Sequence, residues 1–376
     1  MTTLLIADPW DIHARSVAWG LEKLGESSRV WYTHDFPQKH AANIEIDNTR
    51  VAGQPKIELY CARSQQPFKA EDIDAIWLRR WYRPAASAEL HPADAHFAQA
   101  EANEYVRAVI ELLNEGERFW INPLEAKRCA DRKPVQLVQA RAVGMSIPDT
   151  LLSNDPQRIR EFFKSHHGRV IYKPYLPATW NADGRLYSTF TSPLQESLLE
   201  HDGSLSQAPG IYQSMVEKQY ELRVTVMGRS IFASRIDSQQ PGYYLADWRA
   251  NISEQRFHCK RHELPPQIEQ QCFDLLDRMG LVFGCIDIVV TPDGEHVFLE
   301  VNEMGQFLWQ ETEDAALPLL DCFVKFLHSR DPRFRYEPGA PICSLSEFQA
   351  SPAAKNAPPE DAPQHVPLPH SFLMQE

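Results

Sequence analysis

Short apolar runs alternate with amphipathic stretches from the first residues onward. Thr3–Ala7 is an apolar strand, followed by a polar turn over Asp8–Asp11. Ala14–Leu24 then carries Val17, Leu21 and Leu24 at helical spacing and stops before Gly25. Arg29–Thr33, Lys56–Tyr60 and Ala75–Arg79 read as further strands, and Asn103–Leu113 as a helix with Val106, Ile110 and Leu113 on one face. Alternating strands and helices predict a parallel sheet in this region. The strand Ala75–Arg79 runs into an aromatic and basic stretch, Arg79-Arg80-Trp81-Tyr82-Arg83-Pro84.

A second unit starts near Asn122-Pro123. Asp131–Val143 has helical character and stops at Gly144, and Thr150–Leu152 follows as a strand. Pro156–His166 reads as a helix capped by Asp155, and Val170–Tyr172 as a strand that leads into Lys173-Pro174. A polar loop is expected over Leu176–Tyr187, then a strand over Ile211–Val216. Beyond it the pattern becomes that of an antiparallel sheet. Leu222–Val226 and Ile231–Ile236 flank Gly228, and Pro266–Met279 is an amphipathic helix ending at Gly280. Cys285–Val290 and His296–Val301 flank Thr291-Pro292-Asp293-Gly294, whose Asp-Gly step marks a hairpin. Leu317–His328 is a closing helix. From Asp331 onward there are nine prolines in 46 residues and few aliphatic ones, so a loose tail is expected whose removal after Arg335 changes stability little.

The chain has 376 residues, which at about 150 per domain allows two or three domains. Hydrophobic residues make up 43% and charged residues 24%, enough for a packed core. The net charge of −13 argues against broad capture of nucleic acid or an anionic membrane, while leaving room for a local basic pocket. No apolar run is long enough to span a bilayer; Leu281–Val290 is too short and is broken by Asp287. No Lys or Arg precedes Arg15, so the N-terminus does not read as a secretory signal. Seven scattered cysteines without a C-x-x-C pair fit reduced, mostly buried thiols in a cytoplasmic protein.

The most informative stretch is the hairpin with Asp287 on one strand and Glu300 and Asn302 on the other. Side chains on a strand alternate faces, so Glu300 and Asn302 point one way and Leu299 and Val301 the other. Two carboxylates and an amide oxygen are hard ligands suited to Mg²⁺ held along with phosphate oxygens. The competing reading is an ordinary hairpin with polar residues in solvent, and the surrounding apolar residues weigh against it. Lys133 opens a helix and Lys173 ends a short apolar strand; each suits a polyphosphate, and each alone also reads as a solvated surface lysine. The strand and linker Tyr212–Lys218 supply Gln213, backbone groups at Val216 and the carboxylate of Glu217, with Glu221 four residues on and then Arg223. Such groups suit adenine and a ribose diol, or simply a charged edge strand. Arg249 either neutralises phosphate or pairs with Asp247.

Taken together, the order lysine, lysine, glutamate-bearing linker, arginine, then Asp…Glu-x-Asn on a hairpin resembles the ATP-grasp superfamily from about Trp120 to Asp314. Finer details are Ile121-Asn122-Pro123, Lys133-Pro134-Val135-Gln136-Leu137, Tyr172-Lys173-Pro174, Glu221-Leu222-Arg223-Val224, Asp247-Trp248-Arg249 and Gly305-Gln306-Phe307. These resemble the microviridin-type peptide ligases, the ATP-grasp maturases of graspetides. The resemblance implies a three-part α/β fold. An N-terminal pre-ATP-grasp domain would cover 1–121, a central subdomain 122–215 and a C-terminal subdomain 216–330, with the tail at 331–376 and the nucleotide site between the last two subdomains.

It further implies ATP as a cosubstrate and two Mg²⁺ ions. Lys133 and Lys173 would meet the phosphates, and Gln213, Val216, Glu217 and Glu221 the adenosine. Asp287, Glu300 and Asn302 would hold metal, and Arg223 and Arg249 would face an acyl phosphate. The implied substrate is a precursor peptide with leader and core, and a homodimer is compatible with this reading. Three alternatives stand beside it: a small-substrate carboxylate–amine ligase of the glutathione-synthetase or glutamate-adding type, a non-catalytic ATP-binding regulatory or scaffold protein, and an ATP sensor in which only the adenine site works. One departure is the stretch after Lys173, Tyr175-Leu176-Pro177-Ala178-Thr179-Trp180-Asn181, where many ATP-grasp enzymes have a glycine-rich flap.

Overall fold

A computed structural model describes residues 1–48, 55–61, 66–80, 84, 87, 89–175, 179–182, 185–188, 191–237 and 259–355. The N-terminal strands Thr2–Ala7, Ser27–Tyr32, Ala75–Leu78 and Phe119–Ile121 form one sheet in which every pair is parallel, as the strand–helix alternation predicts. Ile12–Lys23 and Pro92–Asn114 are its helices. The run Lys56–Cys61 is not part of that sheet. It is the middle strand of a separate antiparallel sheet with His40–Glu45 and Gln66–Lys69. The reason is visible in its side chains: Ile57 and Leu59 are buried while Glu58 and Tyr60 are not, the alternation of a half-buried antiparallel strand.

The central sheet has the order Ser192–Pro193, Val170–Lys173, Gly210–Ser214, Thr150–Ser153, and every pair is antiparallel. Its covered face meets the helix Pro156–Ser165 through Ile159, Val170, Leu199 and Tyr212. Where a loop was expected after Lys173, Thr179–Ala182 and Arg185–Ser188 pair as an antiparallel hairpin. The expected helix over Asp131–Val143 is two helices, Leu124–Ala130 and Lys133–Ala142. Pro134 sits in the first turn of the second, where its missing N–H costs nothing, and so the break falls just before it.

The C-terminal sheet runs Cys259–His262, Ser230–Ile236, Tyr220–Met227, Phe283–Val290, His296–Asn302, antiparallel throughout. One face is apolar: Leu222, Val224, Val226, Ile286, Ile288 and Val301 pack against Pro266–Met279 and against the two helices that span Leu124–Ala142. Those helices precede the central sheet in sequence yet belong to the layer of the C-terminal one. The helix Leu319–Ser329 joins both halves, since its Phe323 meets Trp77 of the N-terminal sheet and Phe283 of the C-terminal one.

The expectation of a loose tail does not hold for residues 331–355. Cys343, Leu345 and Phe348 are buried in the same core as Leu319–Ser329. Asp321, itself fully buried, accepts hydrogen bonds from the Tyr336 hydroxyl (2.8 Å) and the Ile342 amide (2.7 Å). Glu311 accepts one from the Leu345 amide (2.6 Å). Proline content therefore misleads here: a few well-placed apolar side chains and backbone amides dock a segment whose average composition is polar. Residues 356–376 lie outside the described residues.

Candidate active site

The second face of the C-terminal sheet is apolar at one end, where Met227, Phe283 and Cys285 join the core around Leu319–Ser329, and polar beyond it, where register decides which residues share it. Arg223 lies opposite Asp287, and Asp287 opposite Glu300, so the three form one row across three strands. Asn302 is opposite Cys285, one step along the same face. The alternation predicted from sequence is correct for Glu300, Val301 and Asn302 and is interrupted between Phe298 and Glu300. The register shifts between Asp287 and Ile288, Leu299 is left without a partner, and Phe298 falls opposite Ile288 in the helix-covered core. This is a β-bulge, which adds one residue and turns the strand beside the row.

The row is charge-balanced. Arg223 donates from Nη1 to Asp287 Oδ1 at 2.7 Å, and Asn302 Nδ2 donates to Asp287 Oδ2 at 3.3 Å. Lys133 Nζ stands 3.9 Å from Glu300 Oε2. Burial alone would lower the pKa of Arg223, but the adjoining Asp287 outweighs that and holds it above the usual guanidinium range. Each carboxylate thereby faces a cation of the protein. Lys133 is placed through Gln136, one turn along its helix: the Gln136 amide pairs in both directions with the backbone of Val301, at 2.9 Å each way. Asn122 does similar work at the neighbouring strand end. Its amide bridges Phe283 and Glu303, receiving N–H bonds from Val282 and Phe283 and donating to the Phe283 and Glu303 carbonyls. Sequence alone assigned no role to either amide, since a lone Gln or Asn has no motif of its own.

Asp287, Glu300 and Asn302 offer three oxygen ligands on one face. Among the described residues no group of three or more His, Cys, Asp or Glu side chains gathers around a potential cation. A cation here would take two carboxylates and an amide from the protein and complete its shell elsewhere. That donor set fits Mg²⁺, which favours oxygen, keeps waters and shares phosphate oxygens.

The central sheet contributes a second polar surface. Lys173 is opposite Ile211 and Gln213 opposite Ile171, so Lys173 and Gln213 share the face away from the helix Pro156–Ser165. Gln213 is 1% exposed; its Nε2 donates to Thr150 Oγ1 at 2.9 Å, and its Oε1 is buried without a hydrogen-bond partner among the described residues. A buried amide oxygen lacking a donor fits a ligand amino group. Val216 and Glu217 lie in the five-residue link from Ser214 to Tyr220 that joins the two sheets, half-buried and exposed respectively. Glu221 is buried on the Arg223 side and paired with Lys218 at 3.2 Å. Arg249 lies outside the described residues.

Comparison with solved structures gives a consistent picture. A RiPP-associated ATP-grasp ligase from Chryseobacterium gregarium, in complex with ADP and a leader and core peptide, is 27% identical. The match covers 88% of this chain and 98% of that one, with a TM-score of 0.79. Macrocyclase MdnB from Microcystis aeruginosa is 27% identical over 87% of this chain and 98% of its own, TM-score 0.71. Macrocyclase MdnC from the same organism, bound with precursor peptide MdnA, is 24% identical over 88% and 100%, TM-score 0.76, a likeness of fold. No family model matches the chain, and no curated protein does.

Proposed function

We propose that this chain, an ATP-grasp ligase, uses ATP to join side-chain carboxylates of a ribosomally made precursor peptide to hydroxyl or amino groups of the same peptide. The observation that carries the chemistry is the single row Arg223–Asp287–Glu300, with Asn302 beside it and Lys133 reaching in from the adjacent helix. The peptide substrate rests on the similar ligases, which are recorded with precursor, leader and core peptides.

In this reading a substrate carboxylate oxygen attacks the γ-phosphorus, ADP leaves, and an acyl phosphate forms. A hydroxyl or amine then attacks the acyl carbon, the C–O bond to phosphate breaks, and phosphate departs. The acceptor's proton leaves with the phosphate, so each bond costs the peptide one water and ATP one phosphoryl group. Positioning and charge neutralisation supply most of the acceleration in phosphoryl transfer. Lys133 and Lys173 cradle the phosphates. Gln213 receives the adenine amino group, the backbone at Val216 edges the base, and Glu217 and Glu221 stand at the ribose. Asp287, Glu300 and Asn302 hold Mg²⁺, which offsets the charge of the triphosphate. Arg223 faces the charge that develops on the acyl phosphate.

No helix among the described residues is long and apolar enough to cross a membrane. Among them six cysteines are free. A cytoplasmic location, with its ATP and reduced thiols, belongs to this proposal.

The test is direct. Purified protein, ATP, Mg²⁺ and the peptide encoded beside its reading frame should give product lighter by whole waters. Mild base should reverse the change for esters and leave amides intact. A product heavier by an added amino acid would favour the small-substrate ligase instead.

A further inference from the structure

Arg79, which ends the strand expected over Ala75–Arg79 and begins the aromatic and basic run, is 1% exposed. Its guanidinium faces Asp11 (Nε to Oδ2, 3.2 Å) and donates from Nη1 to the Met304 carbonyl at 2.7 Å. Asp11 caps the helix Ile12–Lys23 and stands 3.3 Å from the Nδ1 of His13. Burial would raise the pKa of Asp11. The His13 hydrogen bond and the charges of Arg79 and Arg80 outweigh it and hold the carboxyl well below the usual range.

His13 faces the other way with its second nitrogen. Nε2 accepts the backbone N–H groups of Phe307 (3.1 Å) and Leu308 (3.3 Å). A ring nitrogen that accepts two N–H groups carries no proton, so the neutral ring holds its proton on Nδ1, toward Asp11, and Arg79 Nη2, 3.4 Å from Nδ1, stands beside that nitrogen without donating to it. Burial pushes the His13 pKa down, in line with that form. The helix Leu308–Glu313 has no side-chain cap of its own at Phe307, and His13 supplies one from another region of the fold.

The segment held in this way, 303–308, follows directly on the strand of Glu300 and Asn302. It lies close on the sheet at Gly305, where φ is +39° and an added Cβ would stand 2.5 Å from Cys285 Sγ. The Gln306 side chain is exposed, but its carbonyl accepts from Arg223 Nη2 at 3.1 Å. Among the described residues Arg223 Nε is buried without a hydrogen-bond partner. Among the described residues the guanidinium is thus held by two contacts, Asp287 and the Gln306 carbonyl. The first is a carboxylate that the proposed chemistry also assigns to a cation. The second is fixed from the N-terminal sheet.

We infer that His13, oriented by Asp11 and Arg79, is a positioning residue for the ligase reaction: it fixes the Gln306 carbonyl that aims Arg223. A buried ion pair such as Asp11–Arg79 adds little net stability compared with apolar packing, so an orienting role accounts for the cluster better than a cohesive one. The inference rests on the ATP-dependent reading of the site, not on the identity of the peptide.

Two polar substitutions separate the roles. His13→Gln can place an acceptor where Nε2 stands, whereas His13→Asn keeps a polar group near Asp11 and is too short to reach Phe307 and Leu308. The Asn variant should lose about tenfold or more in kcat for ADP formation, while KM for ATP stays within about twofold. The Gln variant should retain most of the wild-type kcat at the same melting temperature. Amide exchange at Phe307 and Leu308 should quicken in the Asn variant alone. Equal kcat in the two variants, or unchanged exchange at both amides, overturns the inference. Wild-type protein that forms ADP without dehydrating its peptide would remove the peptide reading and leave the His13 comparison intact. If wild type forms no ADP with peptide, the ATP-dependent reading fails and the inference falls with it, and faster exchange in the Asn variant then reports only the cap on Phe307 and Leu308.

Discussion

The hairpin Phe283–Asn302 and the segment 331–355 both pack against the body of the protein, and they do opposite work. The hairpin buries one face and, beyond Phe283 and Cys285, gives the other to charge: Asp287, Glu300 and Asn302 stand beside Arg223 and Lys133. The docked segment carries no such row. It inserts Cys343, Leu345 and Phe348 into the shared core and lends the backbone amides of Ile342 and Leu345 to the buried carboxylates of Asp321 and Glu311. Mutating the first should cost rate and leave stability; mutating the second should cost stability and leave the rate of whatever stays folded. In the proposed reading, the difference teaches that a row of partly buried charge on one sheet face, not proximity to the core, marks the reacting region.

The largest contrast should come from Glu300→Gln. Loss of one charged ligand should lower ATP turnover by orders of magnitude, about a thousandfold, with an unchanged melting temperature. Near-normal ADP formation by that folded variant would erase the distinction from the hairpin side. Next is Phe348→Ala, which opens a cavity in the core and should cost about 3–5 kcal/mol of stability in denaturant titration. Its kcat at low temperature should match wild type. A chain ending at Arg335 should fare worse still, whereas a midpoint equal to wild type would restore the loose tail expected from composition.

Lys173→Ala should be smaller in effect and purely on the nucleotide side. ATP affinity should fall about tenfold without a change in fold, since the lysine ends its strand on the face away from the helix. Unchanged affinity would return Lys173 to the surface. Smallest is Lys23→Ala. The Lys23–Glu347 pair (3.1 Å) ties the docked segment to the N-terminal helix, but its partners are 35% and 57% exposed. Such a pair is worth less than about 1 kcal/mol, and a larger loss in a thermal melt would mean that charge, not Phe348, docks the segment.

These regions also differ in how well the sequence displays them. The Asp-Gly turn and the alternation around Asp287 and Glu300 are local, so the hairpin and its polar face are readable by eye. The bulge at Leu299 is not, because it depends on which residue of the partner strand is skipped. The docked segment hides for another reason. Phe348 is flanked by Ser, Glu, Gln and Ala, so no window around it is apolar enough to announce a buried element. Arg79 and His13 were invisible as functional residues because both act through backbone groups more than 200 positions away. Nothing in the residues beside them marks those partners. Family resemblance, not spacing, singles out Lys133, Lys173 and the proposed adenosine contacts, which by spacing alone read as ordinary surface.

The account stands on one chemical claim, that the peptide carboxylate is activated as an acyl phosphate in the row of Arg223, Asp287 and Glu300. A precursor peptide with ¹⁸O in its side-chain carboxylates tests this most directly. When the acceptor displaces phosphate, the bridging oxygen stays with phosphorus, so each phosphate released should carry one labelled oxygen per crosslink formed and per ADP produced. Unlabelled phosphate accompanying a crosslinked peptide would mean that ATP is hydrolysed apart from the bond-forming step, and the claim would be wrong.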